Sequence, residues 1–154
     1  MENHMFIIQL TEEQIAAIQV RDRKSLKRQP RPQIRESKDA FELLRHMGQL
    51  SKEHCMVLTL DSRSQVIGKH EISVGTVDAS LLHPREVFRV AIKDAARSLI
   101  LAHNHPSGQL DPSEDDLLIT KRIKTAGQIV GIPVVDHLII GQGDFYSWRD
   151  NERM

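Results

Sequence analysis

The stretch Ala102-His-Asn-His-Pro-Ser-Gly-Gln-Leu-Asp-Pro-Ser-Glu-Asp-Asp116 gathers the residues whose types and spacing can do chemistry. His103 and His105 follow the apolar run Ser98-Leu-Ile-Leu-Ala102, which reads as a buried central strand. Side chains two apart on a strand share a face, so both imidazoles can converge on one point just beyond that run. Pro106, Gly108 and Pro112 then bend the chain back into a helix whose first turn offers Glu114, Asp115 and Asp116. Zinc sites that do chemistry commonly keep three protein ligands and leave a fourth position to water, and Asp116 is taken as the third ligand of one ion. Taken singly, each piece has an ordinary explanation. Ser113 followed by three acids is how many helices start, and a His-x-His pair occurs by chance. Strand exit, turn, hydroxyl and carboxylate in fixed register are harder to dismiss together, and a metal site stands level with the ordinary explanation.

Positioning such a cluster requires a sheet with helices against it. Ser37 can cap a helix running to about Met47 and ended by Gly48, with Phe41, Leu44 and Met47 on one face. Residues 54–60 and 66–74, joined by the polar turn Asp61 to Gln65, read as an antiparallel hairpin. His83-Pro84 opens a second helix with the stripe Val87, Phe88, Ala91, Ile92 and Ala95. A third begins at Pro112-Ser113, carries acids in its first turn and Lys121, Arg122 and Lys124 later, and stops at Gly131 and Pro133. Val134 to Ile140 and Phe145 to Trp148 form a last hairpin. Ahead of all this, Thr11-Glu-Glu-Gln14 has capping-box spacing for a short helix, and residues 21–35 are a basic, proline-containing linker. The chain is thus divided into an N-terminal arm, 1–36, and one domain, 37–154.

Of the 154 residues, 40% are apolar and 27% charged, a globular balance. Lys+Arg and Asp+Glu are 21 each, so no overall field points to a nucleic acid or an acidic membrane. The local exception lies between Arg21 and Lys38, where eight basic residues stand against Asp22 and Glu36. This run suits a solvated arm, a weak nucleic-acid contact through phosphates, or a docking segment, and it has no aromatic residue to stack on bases. No stretch approaches the ~20 apolar residues of a membrane span, and the N-terminus lacks the pattern of a secretory signal, so a cytoplasmic protein is expected. Cys55, the only cysteine, reads as a small buried hydrophobe, which leaves His and carboxylates to build any metal site. His137, beside Asp136, reads as a core histidine bonded to backbone rather than as a support for the site, and His83 and Arg85 either as helix-start residues or as residues lining the cleft.

The pattern His103-x-His105-Pro106, six residues, Ser113, two residues, Asp116 resembles the metal motif of the JAB1/MPN (JAMM) metallopeptidases at every defined position. HNHPSG, with GTVDASLLHPREVF upstream and VVDHLIIG downstream, is similar to the bacterial RadC family over about residues 37–150. The resemblance implies a JAB1/MPN metalloprotease fold of the mixed α/β class, a mainly antiparallel sheet flanked by helices with zinc at one end of the central strand. It implies His103, His105 and Asp116 as ligands, Glu53 as general base on a bound water, and Ser113 as a stabiliser of the tetrahedral oxyanion. The implied activity is zinc-dependent hydrolysis of an amide or isopeptide bond in a peptide or protein substrate. Longer RadC proteins have an N-terminal region of helix-hairpin-helix character that residues 1–36 are too short to hold, so DNA binding is not carried over. Asn104 stands where the deubiquitinating members have Ser or Thr. The family's historical label suggests a DNA-repair-linked, nucleic-acid-associated protein as the alternative, and a non-catalytic interaction module is a third reading.

Overall fold

A computed structural model describes residue 11, residues 30–75 and residues 82–154. The short helix expected after Thr11 and most of the basic run 21–35 lie outside the described residues. Pro32 to Met154 form one compact unit, starting five residues ahead of Ser37. Ile34 explains the earlier start. It is buried in the core, its N–H donates to the Ser64 carbonyl at 2.8 Å, and the Val66 N–H donates to the Pro32 carbonyl at 2.8 Å.

The elements are α1 (Ser37–Leu44) continued by a 3-10 turn (Arg45–Gln49), β1 (Glu53–Leu60), β2 (Val66–Gly75), α2 (Pro84–Lys93), β3 (Ser98–Asn104), α3 (Glu114–Val130), β4 (Val134–Ile140) and β5 (Phe145–Ser147). The five strands form one sheet in the order β2-β1-β3-β4-β5. Among the described residues only the β3–β4 pair is parallel, and the other three are antiparallel. This is the mixed α/β, mainly antiparallel architecture expected from the sequence.

Alternation along the strands splits the core in two. Met56, Leu58, Leu60, Ile100, Ala102, Leu138 and Ile140 pack beneath Phe41, Leu44 and Met47 of α1 and its 3-10 extension. Cys55, Val57, Leu99 and Leu101 face Val87, Phe88 and Ala91 of α2 and Ile119 and Ile123 of α3. At ~25 cal/mol per Å² of apolar surface, each fully buried aliphatic side chain contributes roughly 1.5–3 kcal/mol, so the two layers are what hold β3 fixed at the centre.

Several local expectations are corrected. Ser37 does not cap α1. Glu36 is the N-cap and shares a capping box with Asp39, because the Ser37 hydroxyl is drawn into a buried network around Asp136. Gly48 does more than end a helix: a Cβ there would lie 2.0 Å from the Gly141 carbonyl oxygen, so the residue permits a close approach to the β4–β5 turn. Ile92 is 61% exposed, since α2 ends at Lys93 and only Val87, Phe88 and Ala91 of the expected stripe face the sheet. Helix α3 follows the expected pattern, with Ser113 as N-cap and Gly131 closing it in the left-handed region at φ 78°. Among the described residues no helix is long and apolar enough to cross a membrane.

Candidate metal centre

His103 occupies the end of β3 on the α2/α3 side of the sheet, and His105 follows one step beyond the strand. Asp116 reaches the same point from the first turn of α3, where Ser113 fixes it. The Ser113 N–H and hydroxyl both donate to Asp116 Oδ2, at 2.8 and 2.7 Å, and the Asp116 N–H returns to Ser113 Oγ at 3.1 Å. That capping box leaves Oδ1 facing His103 Nε2 at 2.9 Å. His105 Nε2 lies 3.0 Å from His103 Nε2 and 3.4 Å from Asp116 Oδ2. His103 and Asp116 are buried, and His105 opens to solvent. Ligand atoms held ~2.0–2.1 Å from a tetrahedral zinc lie about 3.3 Å apart, so the spacing suits that ion.

The hydrogen bonds behind these atoms decide what they present. His105 Nδ1 lies 2.8 Å from the Gln109 carbonyl oxygen, which can only accept, so Nδ1 carries the proton and a neutral His105 points a lone pair inward from Nε2. His103 Nδ1 lies 2.8 Å from His137 Nε2, and His137 Nδ1 lies 2.6 Å from Thr120 Oγ1. Thr120 donates to the Asp116 backbone carbonyl at 2.6 Å. Two ring nitrogens and a carboxylate oxygen therefore meet in one partly buried spot, close enough that a proton or a metal cation must lie among them.

The electrostatics agree. Burial works to raise the Asp116 carboxyl, but the adjoining His103 and His105 rings and the Ser113 hydroxyl hold it well below the usual carboxylate range. The His105 pKa is raised by the Asp116 carboxylate against the cost of burial, with the Gln109 carbonyl and Glu53 adding to the effect. Complete burial keeps His137 neutral, well below the ordinary imidazole value. Trp148 stacks on the His137 ring at 4.3 Å and 12° and seals it from water.

Glu53, the first residue of β1, is half-buried and close enough to His105 to influence its proton. It lines a cleft of about 440 Å³ together with Ser51, Lys52, Gly75 and Pro106. Its backbone is held from both sides by Asn104. The Asn104 side chain accepts from the His54 N–H at 2.7 Å and donates to the Lys52 carbonyl at 3.0 Å. Asn104 points to the opposite face of β3 from the two histidines, so one Asn ties the Glu53 backbone to the metal strand. Two other glutamates upstream of the histidines pair away from the cluster: Glu71 with His54 at 2.8 Å, and Glu86 with Arg85 and Arg89 at 3.2 and 3.3 Å.

Sequence reasoning missed Asn104 and Thr120 and misread His137, whose ring bonds to His103 and Thr120 rather than to backbone. The i, i+4 spacing of Asp116 and Thr120 on one helix face was the available signal for Thr120. His83 caps α2 through Nδ1, which accepts from the Arg85 N–H at 3.1 Å, as a helix-start residue should. Cys55 is buried, and burial pushes its thiol up to about 12, which fits a packing role.

A mainly antiparallel sheet flanked by helices, with a His-x-His/Asp cluster at the end of its central strand, is the arrangement that the JAB1/MPN resemblance implied. A family model described as the RadC-like JAB domain matches residues 34–153, and the chain belongs to the RadC family. Among curated proteins, a UPF0758 protein of Rubrobacter xylanophilus is 47% identical over 139 residues, covering 89% of this chain and 61% of its own length. One of Chlorobaculum tepidum is 40% identical over 140 residues, covering 90% of this chain and 63% of that protein. One of Symbiobacterium thermophilum is 50% identical over 111 residues, covering 71% and 47%. The chain thus spans about half to three-fifths of the length of these relatives.

Proposed function

We propose that this chain is a zinc-dependent hydrolase of amide or isopeptide bonds acting on a peptide or protein. The observation that carries the reading is the convergence of His103 Nε2, His105 Nε2 and an Asp116 carboxylate oxygen at one point. Two neutral imidazoles and one carboxylate would hold the ion. When bound, zinc supplies Lewis acidity and lowers the pKa of a water.

The remaining work falls to the chain's own groups. The Glu53 carboxylate borders the cleft that a substrate backbone would enter, takes a proton from the attacking water and passes it to the leaving nitrogen. Asn104 keeps that carboxylate in register with the histidines. Ser113 holds Asp116 through its hydroxyl, and the oxyanion contact implied by the family resemblance would need that hydroxyl to turn toward the substrate. Burial of His103 and Asp116 excludes bulk water from the inner side of the cluster.

The test combines metal analysis of the purified chain with peptide-library cleavage in the presence and absence of a chelator. About one zinc per chain and chelator-sensitive cleavage are expected. Glu53→Gln should retain zinc and stability but lower turnover by at least ~10²-fold, while Glu71→Gln and Glu86→Gln remain active. A fully active Glu53→Gln would show that another group moves the proton.

A further inference from the structure

Resting on the metal reading above, we propose that Thr120 and His137 are positioning residues that set the tautomer of His103, and with it the affinity for the ion. Along one line of contacts each group has a fixed number of protons to give. The Asp116 backbone carbonyl can only accept, so the single hydroxyl proton of Thr120 is directed there at 2.6 Å. Thr120 Oγ1 must then accept from His137, which places the His137 proton on Nδ1. His137 Nε2 is left with a lone pair, so it accepts from His103 Nδ1–H at 2.8 Å. A neutral His103 that donates through Nδ1 has its lone pair on Nε2, the atom that faces Asp116 and His105.

Each link removes one choice from the next ring, and the line starts and ends on two of the three ligand residues. A hydroxyl that never touches the ion therefore decides whether His103 can serve as a ligand. If Thr120 offered no acceptor, His137 would be free to carry its proton on Nε2. It would then donate to His103 Nδ1 and leave the His103 proton on Nε2, pointing into the site. The stacking of Trp148 on His137 at 4.3 Å keeps the ring in the plane that both bonds require. Partners of this kind, behind a metal ligand, typically change metal affinity by ~10–100-fold when removed.

Two measurements on the whole chain decide the matter. The first is the ring-nitrogen NMR spectrum of the metal-free protein, in which His137 and neutral His103 should both be Nδ1–H tautomers. An Nε2–H tautomer at either residue in the folded protein overturns the proposal, whether or not zinc binds. The second is zinc affinity by competition with a chromophoric chelator. Thr120→Val keeps the shape and removes the acceptor, so it should weaken binding ~10–100-fold, while Thr120→Ser keeps the hydroxyl and the wild-type affinity. Wild-type affinity in a folded Thr120→Val overturns the relay and leaves the metal reading intact, as does equal loss in the Ser variant. A wild-type chain that takes up no zinc counts against the metal reading, and the tautomer spectrum then decides the relay alone.

Discussion

Asp116 and Asp136 are both buried carboxylates on the same unit, yet their surroundings differ in kind. Asp136 is met by donors: the Ser37 hydroxyl at 2.9 Å, the Ser147 hydroxyl at 2.8 Å, and the backbone N–H groups of His137 and Arg149 at 2.8 and 3.0 Å. Its charge is spread over four hydrogen bonds that tie α1, β4, β5 and the C-terminal turn together. Among hydroxyl and backbone donors Asp116 accepts from Ser113 alone, on one oxygen, and its other oxygen lies 2.9 Å from His103 Nε2, with His105 Nε2 beside it. A buried carboxylate surrounded by donors stabilises a fold. One that shares its pocket with other lone pairs is a site for a cation.

The comparison breaks most sharply by exchanging which carboxylate is lost. Asp116→Asn should abolish zinc uptake while lowering the unfolding free energy of the metal-free chain by only about 1 kcal/mol, the usual scale of a helix-cap contact. Asp136→Asn should do the reverse, destabilising the fold by about 3 kcal/mol because it leaves buried donors imperfectly paired, with zinc stoichiometry unchanged in whatever folds. Urea unfolding and metal analysis on both variants read this directly. A zinc-loaded Asp116→Asn, or an Asp136→Asn as stable as wild type, would dissolve the distinction.

A smaller effect sharpens the structural half. A chain that begins at Ser37 retains the Asp136 network but loses Ile34 from the core and the backbone bonds of Pro32 and Ile34 to residues 64–66. It should be less stable by roughly 2 kcal/mol, the cost of removing one buried aliphatic side chain, and should still bind zinc. A chain cut at residue 37 with an unchanged melting temperature would mean that this edge contributes nothing.

The smallest effect concerns the cation side. The His105 pKa lies above the ordinary imidazole value of 6.5, because Asp116 favours its protonated form. The proton therefore competes with zinc at higher pH than a free histidine's would. Apparent affinity should climb about tenfold per pH unit until that raised pKa is passed, and then level off. Calorimetric titrations across the range would show a flat profile if no ligand proton had to be displaced.

His103, His105 and Asp116 were legible because their relation is local: a strand, a turn and a helix start within fourteen residues. Ser113 was legible for the same reason. The partners that orient them were not. His137 meets His103 only because β4 lies parallel beside β3, pairing Leu101 with His137 and His103 with Ile139, and no spacing along the chain announces that register. Asn104 grips the start of β1 across 50 and 52 positions of sequence. Ser37 looked like a cap because hydroxyls commonly are, and a tertiary network outbid the local one. Pro30, Pro32 and the surrounding charge made residues 32–35 read as a linker, although Ile34 is buried.

The single parallel pairing also bears on how the site comes into being. Parallel neighbours cannot be joined by a tight turn, so β3 and β4 require the long crossing segment that contains α3, and that segment supplies both Asp116 and Thr120. The hairpin of β1 and β2 can form early from nearby residues, whereas closing this crossing demands distant contacts and is the slower event. Until it closes, both histidines lack the Asp116 carboxylate, and His103 also lacks the His137 ring that it contacts. An ion bound as proposed, with high affinity only for the closed arrangement, would act as a ratchet on the last stage of folding: it would withdraw completed chains from the equilibrium, the more so the higher the free zinc around them.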